Sequence, residues 1–312
     1  MFNTPVLFLL FNRPDTTEQV FEVIRQVKPV KLFIAADGPR KEREGDTELC
    51  RQTRELVMKS IDWDCEVKIL FRAENLGCGK AVSEAITWFF EQVDEGIILE
   101  DDTLPNLSFF NYCSELLKIY RNNETIMTIS GNTFHSFSHI KASKHSYYFS
   151  SFPFIWGWAT WKRSWMKYQL DIVKISLASE REKWINNAFH DIEIRKFWID
   201  LYQRASYLNE DFTWDYQWFL TIWKNSGKTI LPQRNLVVNI GWGANATHTK
   251  EENHHLSKLK SYKIKMASDL PQSINLQSEL EWKNFSNFYL PYNPIFFKRI
   301  LRKINYLKRK YL

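Results

Sequence analysis

Short apolar runs and amphipathic segments alternate along the first hundred residues of the chain. The apolar runs have the length of strands, whereas the segments between them repeat their apolar positions every three or four residues, as helices do. Strands are predicted at 5–11, 31–36, 66–71 and 96–99, and helices at 16–26, 46–61 and 79–93, the first capped by Asp15 or Thr16. This alternation predicts an α/β fold with a mostly parallel sheet flanked by helices.

The pattern is less regular after residue 100. A helix at 109–120 and a strand at 125–130 precede the polar stretch 132–151, which has no periodicity and is predicted to be a mobile loop. Further elements are predicted in the following order: one long helix over 180–204, a helix beginning within 209–223, a strand pair over 228–238, an irregular polar stretch beyond 251, and a helix after Pro294.

Polar or glycine-containing turns follow the predicted strands. The first, second and fourth strands run into Asn12-Arg13-Pro14, Asp37-Gly38-Pro39 and Glu100-Asp101-Asp102, and the third runs into the segment 72–77. Because ligands bind beyond the carboxyl ends of the strands in a doubly wound sheet, these four turns are expected to converge on one site.

The acidic triplet Glu100-Asp101-Asp102 carries the clearest candidate chemistry. It follows an apolar strand, so at least one carboxylate is expected to point out of the sheet edge. Carboxylate oxygens suit Mg²⁺ or Mn²⁺, and a cation held by one or two of them can bridge the phosphates of a nucleoside diphosphate. The alternative is an acidic strand end that is exposed to water and caps the next helix.

The motifs taken in order resemble the GT-A glycosyltransferases, and in particular the β-1,2-N-acetylglucosaminyltransferases of the N-glycan pathway and their bacterial surface-glycan relatives. They are Asn-Arg-Pro, Ala-Asp-Gly-Pro, Asn-x-Gly-x-Gly-Lys, and Ile-Leu-Glu-Asp-Asp followed by Phe-Phe, and the resemblance covers roughly residues 5–248. It implies a Rossmann-like GT-A fold and a metal-dependent enzyme that uses a UDP-sugar.

The resemblance also implies a role for each matching residue in the first half. Asp102 would bind the metal ion, Glu100 and Asp101 would contact the sugar and ribose of the donor, and Asp37 would pair with the uracil imide. The backbone around Phe11, Asn12 and Arg13 would flank the base and ribose, and Asn75, Gly77 and Lys80 would lie beside the ribose and phosphates. From local sequence alone, Asp37 fits an ordinary turn equally well, and the glycines at 77 and 79 fit either a turn or an anion site at a helix N-terminus.

In the second half, Asp215 is a carboxylate among aromatic residues, next to Trp214. Such a group can deprotonate an acceptor hydroxyl, and partial burial raises its pKa toward a useful value. It resembles the catalytic base of the same family, which implies a single in-line displacement that inverts the anomeric carbon. A helix-capping role is the alternative, and Glu210 and Asp211 are the nearest competitors for the base.

Two further segments resemble parts of GT-A sites. Trp156, Gly157 and Trp158 are candidates for the donor sugar pocket, or else they form a tryptophan-rich core strand. His248 stands in the Gly-rich segment 241–249, where such enzymes bring a histidine to the metal or the phosphates. A surface histidine is the alternative.

Charge is concentrated at the C-terminus. The chain has a net charge of +6, and the last 15 residues contain seven basic and no acidic side chains, so the remainder is close to neutral and a nucleic-acid-binding surface is not expected. Ile300, Ile304, Leu307 and Tyr311 lie at helical spacing among these basic residues. They predict an amphipathic helix on an anionic membrane surface, the alternative being a helix packed on the domain.

These observations lead to one main hypothesis. The chain is an inverting hexosyl- or N-acetylhexosaminyl-transferase, dependent on Mn²⁺ or Mg²⁺, that moves a sugar from a UDP-sugar to a lipid-linked glycan acceptor in bacterial lipopolysaccharide or surface polysaccharide synthesis. Residues 1–131 would bind the nucleotide-sugar, 132–250 the acceptor, and 251–312 would be a C-terminal extension. Four scattered cysteines and an N-terminal apolar run too short to span a bilayer favour a cytoplasmic protein, peripheral on the inner face of the membrane.

Two alternatives stay open. The first is a catalytically inactive sugar-nucleotide-binding or scaffolding module in a glycan-synthesis complex. The second is a nucleotidyltransferase that makes nucleotide-sugars, which is disfavoured because the turn after the first strand is not a Gly-rich basic loop.

Overall fold

An eight-stranded mixed sheet forms the centre of the molecule. The computed structural model describes residues 1–135, 145–205, 213–242, 255–266, 270–271 and 273–292. Within them the strands are β1 (Val6–Leu10), β2 (Lys31–Ala36), β3 (Glu66–Phe71), β4 (Glu95–Glu100), β5 (Thr103–Pro105), β6 (Ile126–Ser130), β7 (Tyr147–Ser150), β8 (Trp158–Trp161), β9 (Lys228–Pro232) and β10 (Val237–Asn239).

Helices cover both faces of this sheet. They are α1 (Pro14–Val27), α2 (Asp46–Lys59), α3 (Cys78–Phe90), α4 (Ser108–Ile119), α5 (Lys162–Trp165), α6 (Ile172–Ile175), α7 (Ala178–Ala188), α8 (Ile192–Ala205), α9 (Asp215–Lys224) and α10 (Ser278–Phe288). In the described ranges, none of them is both long and apolar enough to cross a bilayer.

The strand order is β3-β2-β1-β4-β8-β6-β9-β7, and the short strands β5 and β10 form a separate antiparallel pair. The first four strands of this order are mutually parallel, and β8 lies antiparallel between β4 and β6. Since β9 is parallel to β6 and only β7 is reversed beyond it, six of the eight strands run in one direction. The predicted α/β class with a mostly parallel sheet is confirmed.

The core consists of two apolar layers, one on each face of the sheet. Strand β1 alternates between them: Leu7 and Leu9 belong to one layer, and Val6, Phe8 and Leu10 belong to the other. A strand covered on both faces has no polar side to expose, so it appears in the sequence as a continuous apolar run.

Tryptophan contributes mainly to the first of these layers. Seven of the thirteen tryptophans are buried, and Trp158, Trp165, Trp214 and Trp218 pack against one another with ring centroids 5.2–6.3 Å apart. Most of the indoles therefore belong to the core.

Several predicted elements differ from the observed ones. Helix α1 begins at Pro14 without a side-chain cap, because proline at the first helical position supplies the helical φ and lacks only an N–H that would have no partner in the helix. The single helix predicted over 180–204 is two helices, and the carboxylate of Asp191 starts the second by accepting hydrogen bonds from the N–H groups of Glu193 and Ile194.

The stretch 132–151 is also more ordered than predicted. Residues 132–135 are buried and β7 ends at Ser150, so the mobile-loop prediction is wrong for both ends, whereas 136–144 lie outside the described residues. The helix predicted after Pro294, including the basic amphipathic face, also lies outside them.

Helix α10 escaped prediction because two of its buried positions are polar. Asn284 accepts a hydrogen bond from the N–H of Phe134 and donates one to Tyr148. The carboxylate of Glu281 accepts hydrogen bonds from the hydroxyl of Ser150 and the N–H of Ser151. Buried polar residues with partners break the apolar periodicity by which a helix is detected in sequence.

Glu281 gives the fold a pH dependence that can be measured. Burial raises the pKa of its carboxyl from 4.5 to about 7, against the opposing effects of Ser150, Ser151 and Lys228. An acid whose folded-state pKa lies above its unfolded value contributes stability below the unfolded pKa and loses it as the pH rises through the folded pKa.

We therefore expect the free energy of unfolding of the wild type to fall by roughly 3 kcal/mol more than that of Glu281→Gln between about pH 4.5 and about pH 7. Urea unfolding at several pH values measures this difference. Glu279→Gln, at an exposed position of the same helix, is the matched control. Parallel pH profiles for wild type and Glu281→Gln would show that the Glu281 carboxyl titrates normally in the folded state.

Candidate functional site

The strand register brings the predicted turns together at one edge of the sheet. Leu10 pairs with Ala36, Ala36 with Phe71, and Leu9 with Glu100. Because these parallel strands end at nearly the same level, the residues that follow them leave the sheet side by side. The convergence expected from the sequence is observed.

The carboxylates of the triplet have separate partners. Asp101 is buried and accepts a hydrogen bond from the N–H of Phe11 at 3.0 Å. Asp102 Oδ2 lies 2.7 Å from Nη1 of Arg13, and Asp101 Oδ1 lies 4.0 Å from the same nitrogen. The Arg13 guanidinium is therefore the counter-ion of the triplet. From the sequence, only the backbone around Arg13 was expected at the site, and this role of the side chain was not predicted.

The charges at this edge are unbalanced. Burial raises the pKa of Glu100 well above its usual range, and the charges of Asp102, Asp101 and Asp215 raise it further, while Arg13 lowers it. Burial likewise raises the pKa of Asp101 to about 6. For Arg13, burial lowers the pKa, but the two aspartates outweigh it and keep the guanidinium charged. The acidic groups thus outnumber the positive charge that faces them.

Asp215 comes to this cluster from the N-terminal end of α9. Its carboxylate accepts a hydrogen bond from the hydroxyl of Thr213, and its charge acts on Glu100, Cys78 and Tyr168. A residue more than a hundred positions after the triplet is thereby brought into its electrostatic range. The sequence predicted this proximity, whereas a catalytic role for Asp215 stays a prediction.

The N-terminus of α3 faces the same cluster. Gly77 precedes the helix with φ +80°, a conformation that favours glycine, and Cys78 is its first residue. Burial raises the pKa of the Cys78 thiol, and Glu100, Asp215 and Asp102 raise it further, so Cys78 lies near all three carboxylates. The charges of these carboxylates thus act on the first turn of α3, while the N–H of Gly77 in front of the helix already donates to Asp37. The Gly-Cys-Gly sequence was the only signal for Cys78.

Asp37 organises the loop in front of α3. Its carboxylate accepts hydrogen bonds from the Asn75 side chain (2.9 Å) and from the N–H groups of Gly38 (2.9 Å), Leu76 (3.0 Å) and Gly77 (3.2 Å). These four donors occupy the acceptor capacity of a carboxylate. The observed contacts of Asp37 are therefore those of a residue that stabilises a turn. The Asn75 side chain belongs to the same hydrogen-bonded group and does not extend into an open site.

Phe11 and Asn12 belong to a neighbouring polar group. The Asn12 amide donates to the buried carboxylate of Asp46 at 2.7 Å, and Arg40 Nη2 donates to the same carboxylate at 3.0 Å. The Arg40 guanidinium lies over the ring of Phe11, 5.1 Å from its centroid. Arg40 and Asp46 were not predicted from the sequence, because no pattern indicates that Asp46, at the start of α2, packs against the turn after β1.

Lys80 is the predicted donor contact that turns away from the cluster. It is exposed on the first turn of α3, and its ammonium lies 3.9 Å from Glu84 along the helix. The described structure therefore places no phosphate-facing lysine at this point.

The tryptophan segment contributes one open surface. Trp158 and Trp214 are buried in the core, and Gly157, with φ +68°, packs so closely on Val237 that a Cβ would meet its methyl group at 2.9 Å. Buried rings cannot line a sugar pocket, so Trp158 and Trp214 belong to the core, and the close packing at position 157 requires glycine. Trp156 is only half-buried and lies edge-to-face with Trp242 at 6.2 Å.

A late segment of the chain closes over the Arg13–Asp102 pair. The N–H of Ile240 donates to the Asp102 carbonyl at 2.8 Å, continuing the β5–β10 pairing. At Gly241 a Cβ would lie 2.3 Å from Asp102 Oδ2 and 2.6 Å from Arg13 Nη1. Position 241 therefore requires glycine for steric reasons. His248 lies outside the described residues.

The donor set fits a hard divalent cation that arrives with a phosphate ligand. Among the described residues, no three His, Cys, Asp or Glu side chains are grouped as a preformed metal site. A Mg²⁺-like ion, however, often takes only one or two carboxylates, with water and substrate phosphates completing its shell. Asp102 and Glu100 supply such oxygens, in a site with an excess of negative charge.

Comparison with known proteins shows no matching family model and no similar curated protein sequence. Three solved structures show partial likeness. Mouse xyloside xylosyltransferase 1 has 10% identity and a TM-score of 0.33 over 70% of this chain and 80% of that one. The 4-diphosphocytidyl-2C-methyl-D-erythritol synthase of Anaerococcus prevotii has 8% and 0.30 over 63% and 84%. HddC of Yersinia pseudotuberculosis has 12% and 0.27 over 40% of this chain and 56% of its own length. At these TM-scores the likenesses carry no argument about function.

The Asp37 contacts lead to a stability prediction. Asp37→Ala leaves the N–H groups of Leu76 and Gly77 without their acceptor, and we expect a loss of about 1–3 kcal/mol of unfolding free energy. Amide exchange at residues 76 and 77 should accelerate. Urea unfolding and exchange by NMR measure both effects, with the exposed Asp64→Ala as control. Unchanged exchange at these two amides would contradict the organising role of Asp37.

The close packing at Gly241 leads to a second stability prediction. Gly241→Ala drives a methyl group into the Arg13–Asp102 pair, and we expect a destabilisation of about 1–3 kcal/mol from overpacking. Gly45→Ala is the contrasting variant, because nothing lies within 4 Å of its Cβ and it suffers only from its φ of +83°. Thermal unfolding measures both variants. High salt should change the destabilisation of Gly241→Ala, which disturbs an ion pair, and should leave that of Gly45→Ala unchanged. A Gly241→Ala protein as stable as wild type would refute the observed contact.

Proposed function

We propose that this chain is an inverting, divalent-metal-dependent glycosyltransferase that moves a sugar from a UDP-sugar to a glycan acceptor. The observation that carries the proposal is that the charge of Asp215 acts on Glu100, in the triplet Glu100-Asp101-Asp102 at the carboxyl edge of the sheet. The triplet would supply the ligand for the metal ion, and Asp215 would accept the proton of the acceptor hydroxyl.

The donor side of this proposal rests on three features around the triplet. The first turn of α3 lies within the electrostatic range of the triplet, the Arg13 guanidinium adds a full positive charge, and Asp102 offers carboxylate oxygen to a cation. When bound, Mn²⁺ or Mg²⁺ would neutralise charge on the diphosphate leaving group. Arg13 and the α3 amides would hold the same group in place.

The acceptor side rests on Asp215. Its carboxylate would take the proton of an acceptor hydroxyl while that oxygen forms a bond to the anomeric carbon and the bond to the diphosphate oxygen breaks. Attack opposite the leaving group inverts the configuration. Trp156 and Trp242, both half-buried beside Gly241, offer aromatic surface on which a sugar ring can stack.

The cellular role that we propose rests on the sequence. A basic amphipathic C-terminal segment suits a peripheral protein on the inner face of the cytoplasmic membrane, where lipid-linked acceptors of surface polysaccharide or lipopolysaccharide are extended. His248 is proposed as a second group for the metal or phosphates, and no contact of it is described.

A screen of donors tests the activity. Purified protein with Mn²⁺ should release the nucleoside diphosphate from a UDP-sugar in preference to GDP- and dTDP-sugars. We expect Asp102→Asn and Asp215→Asn each to lower turnover by roughly 100-fold or more, because one removes a cation ligand and the other the base. Asp64→Asn, on the exposed surface, should leave turnover unchanged. Full transfer by folded Asp102→Asn or Asp215→Asn would exclude this mechanism.

The inactive binding module is the second candidate, and the Arg13–Asp102 ion pair favours it, because the expected metal ligand already has a cationic partner. UDP binding measured by calorimetry in parallel with turnover separates the two candidates. Binding of UDP with neither hydrolysis nor transfer, over the whole donor panel, would identify the module.

A further inference from the structure

Arg13 occupies the place where a cation would meet the triplet. Its Nη1 lies 2.7 Å from Asp102 Oδ2 and 4.0 Å from Asp101 Oδ1, and the Arg13 side chain is 18% exposed. A Mg²⁺-type ion requires its ligand oxygens at about 2.0–2.1 Å. The guanidinium nitrogen and such an ion cannot share the same face of Asp102 Oδ2.

Gly241 makes this exclusion stricter. A methyl group added at residue 241 would lie 2.3 Å from Asp102 Oδ2 and 2.6 Å from Arg13 Nη1, and the Ile240 N–H donates to the Asp102 carbonyl. The segment after β10 therefore leaves little free space beside the pair. A cation that binds this oxygen must displace the guanidinium.

Arg13 can exchange its partner only by a movement of its side chain. Its backbone is fixed, because the Arg13 carbonyl accepts the N–H of Thr17 and Pro14 begins α1. Rotation about the side-chain bonds is thus the available movement. A guanidinium matches two oxygens of a phosphate with two parallel hydrogen bonds, as it does a carboxylate.

We propose that Arg13 is a cation-mimicking positioning residue: it holds the metal position of Asp102 in the resting site and passes to the diphosphate when a cation and a nucleoside diphosphate bind together. This inference rests on the proposed donor site. It also gives a reason why the cation and the nucleoside diphosphate would bind together. The cation alone binds weakly because it must expel Arg13 into solvent, whereas the diphosphate gives the guanidinium a new partner. Cation and diphosphate therefore favour each other's binding, and the coupling is reciprocal.

Binding of Mn²⁺, followed by electron paramagnetic resonance with and without UDP, tests the proposal without any measurement of activity. In wild type, UDP should tighten Mn²⁺ binding by roughly tenfold or more. In Arg13→Gln, Mn²⁺ alone should bind roughly tenfold more tightly than in wild type, and the gain from UDP should shrink. Arg40→Gln is the matched control, because Arg40 pairs with Asp46 rather than with the triplet, and its Mn²⁺ affinity should equal that of wild type.

Equal or weaker Mn²⁺ binding by Arg13→Gln, in the absence of UDP, would overturn the proposal. If Arg13→Gln does not fold, Arg13→Met carries the same test. It also removes the positive charge beside Asp102 and keeps a long side chain, so Mn²⁺ alone should again bind more tightly than in wild type. The Mn²⁺-only arm does not depend on a nucleotide. Failure of UDP to bind wild type under any condition would instead remove the proposed function, and the two failures are therefore distinguishable.

Discussion

One guanidinium set against a group of partly or fully buried carboxylates is the constraint on which the rest of this site depends. Arg13 lies beside Asp101 and Asp102, while Glu100 and Asp215 add further negative charge. Desolvated like charges disfavour ionisation, so such an arrangement persists only if the fold fixes each group or a ligand compensates it. The register of β1 with β4 and the glycine at 241 are the means by which the fold fixes it.

The surrounding turns divide into those that build the site and those that face it. Asp37 and Asn75 are engaged in shaping the loop before α3, and Asn12 is engaged with Asp46. The first turn of α3 instead lies within the electrostatic range of Glu100, Asp102 and Asp215. The surrounding hydrogen bonds fix the backbone from which the charged side chains project. These side chains can therefore lie close together although their charges do not balance.

The sequence indicated the inner groups but assigned several outer ones to ligand contacts. It had no signal for Asp46 as a partner of Asn12 or for the Arg13 side chain as the counter-ion, since these contacts join residues 34 and 89 positions apart. Trp158 and Trp214 were candidates for ligand contacts because aromatic residues serve both cores and sugar sites, and only their burial decided between the two.

Local pattern by itself determined the strand and helix alternation of the first hundred residues, with β2 and β3 at their observed bounds, and the convergence of the strand-end turns. These features follow from side-chain periodicity and from parallel pairing, which neighbouring residues encode. Tertiary structure alone decided the insertion of β8, the docking of α10 through buried polar groups, and the pairing of Arg13 with Asp102. Those depend on which distant surfaces meet, and burial and charge compensation at such contacts leave no period in the sequence.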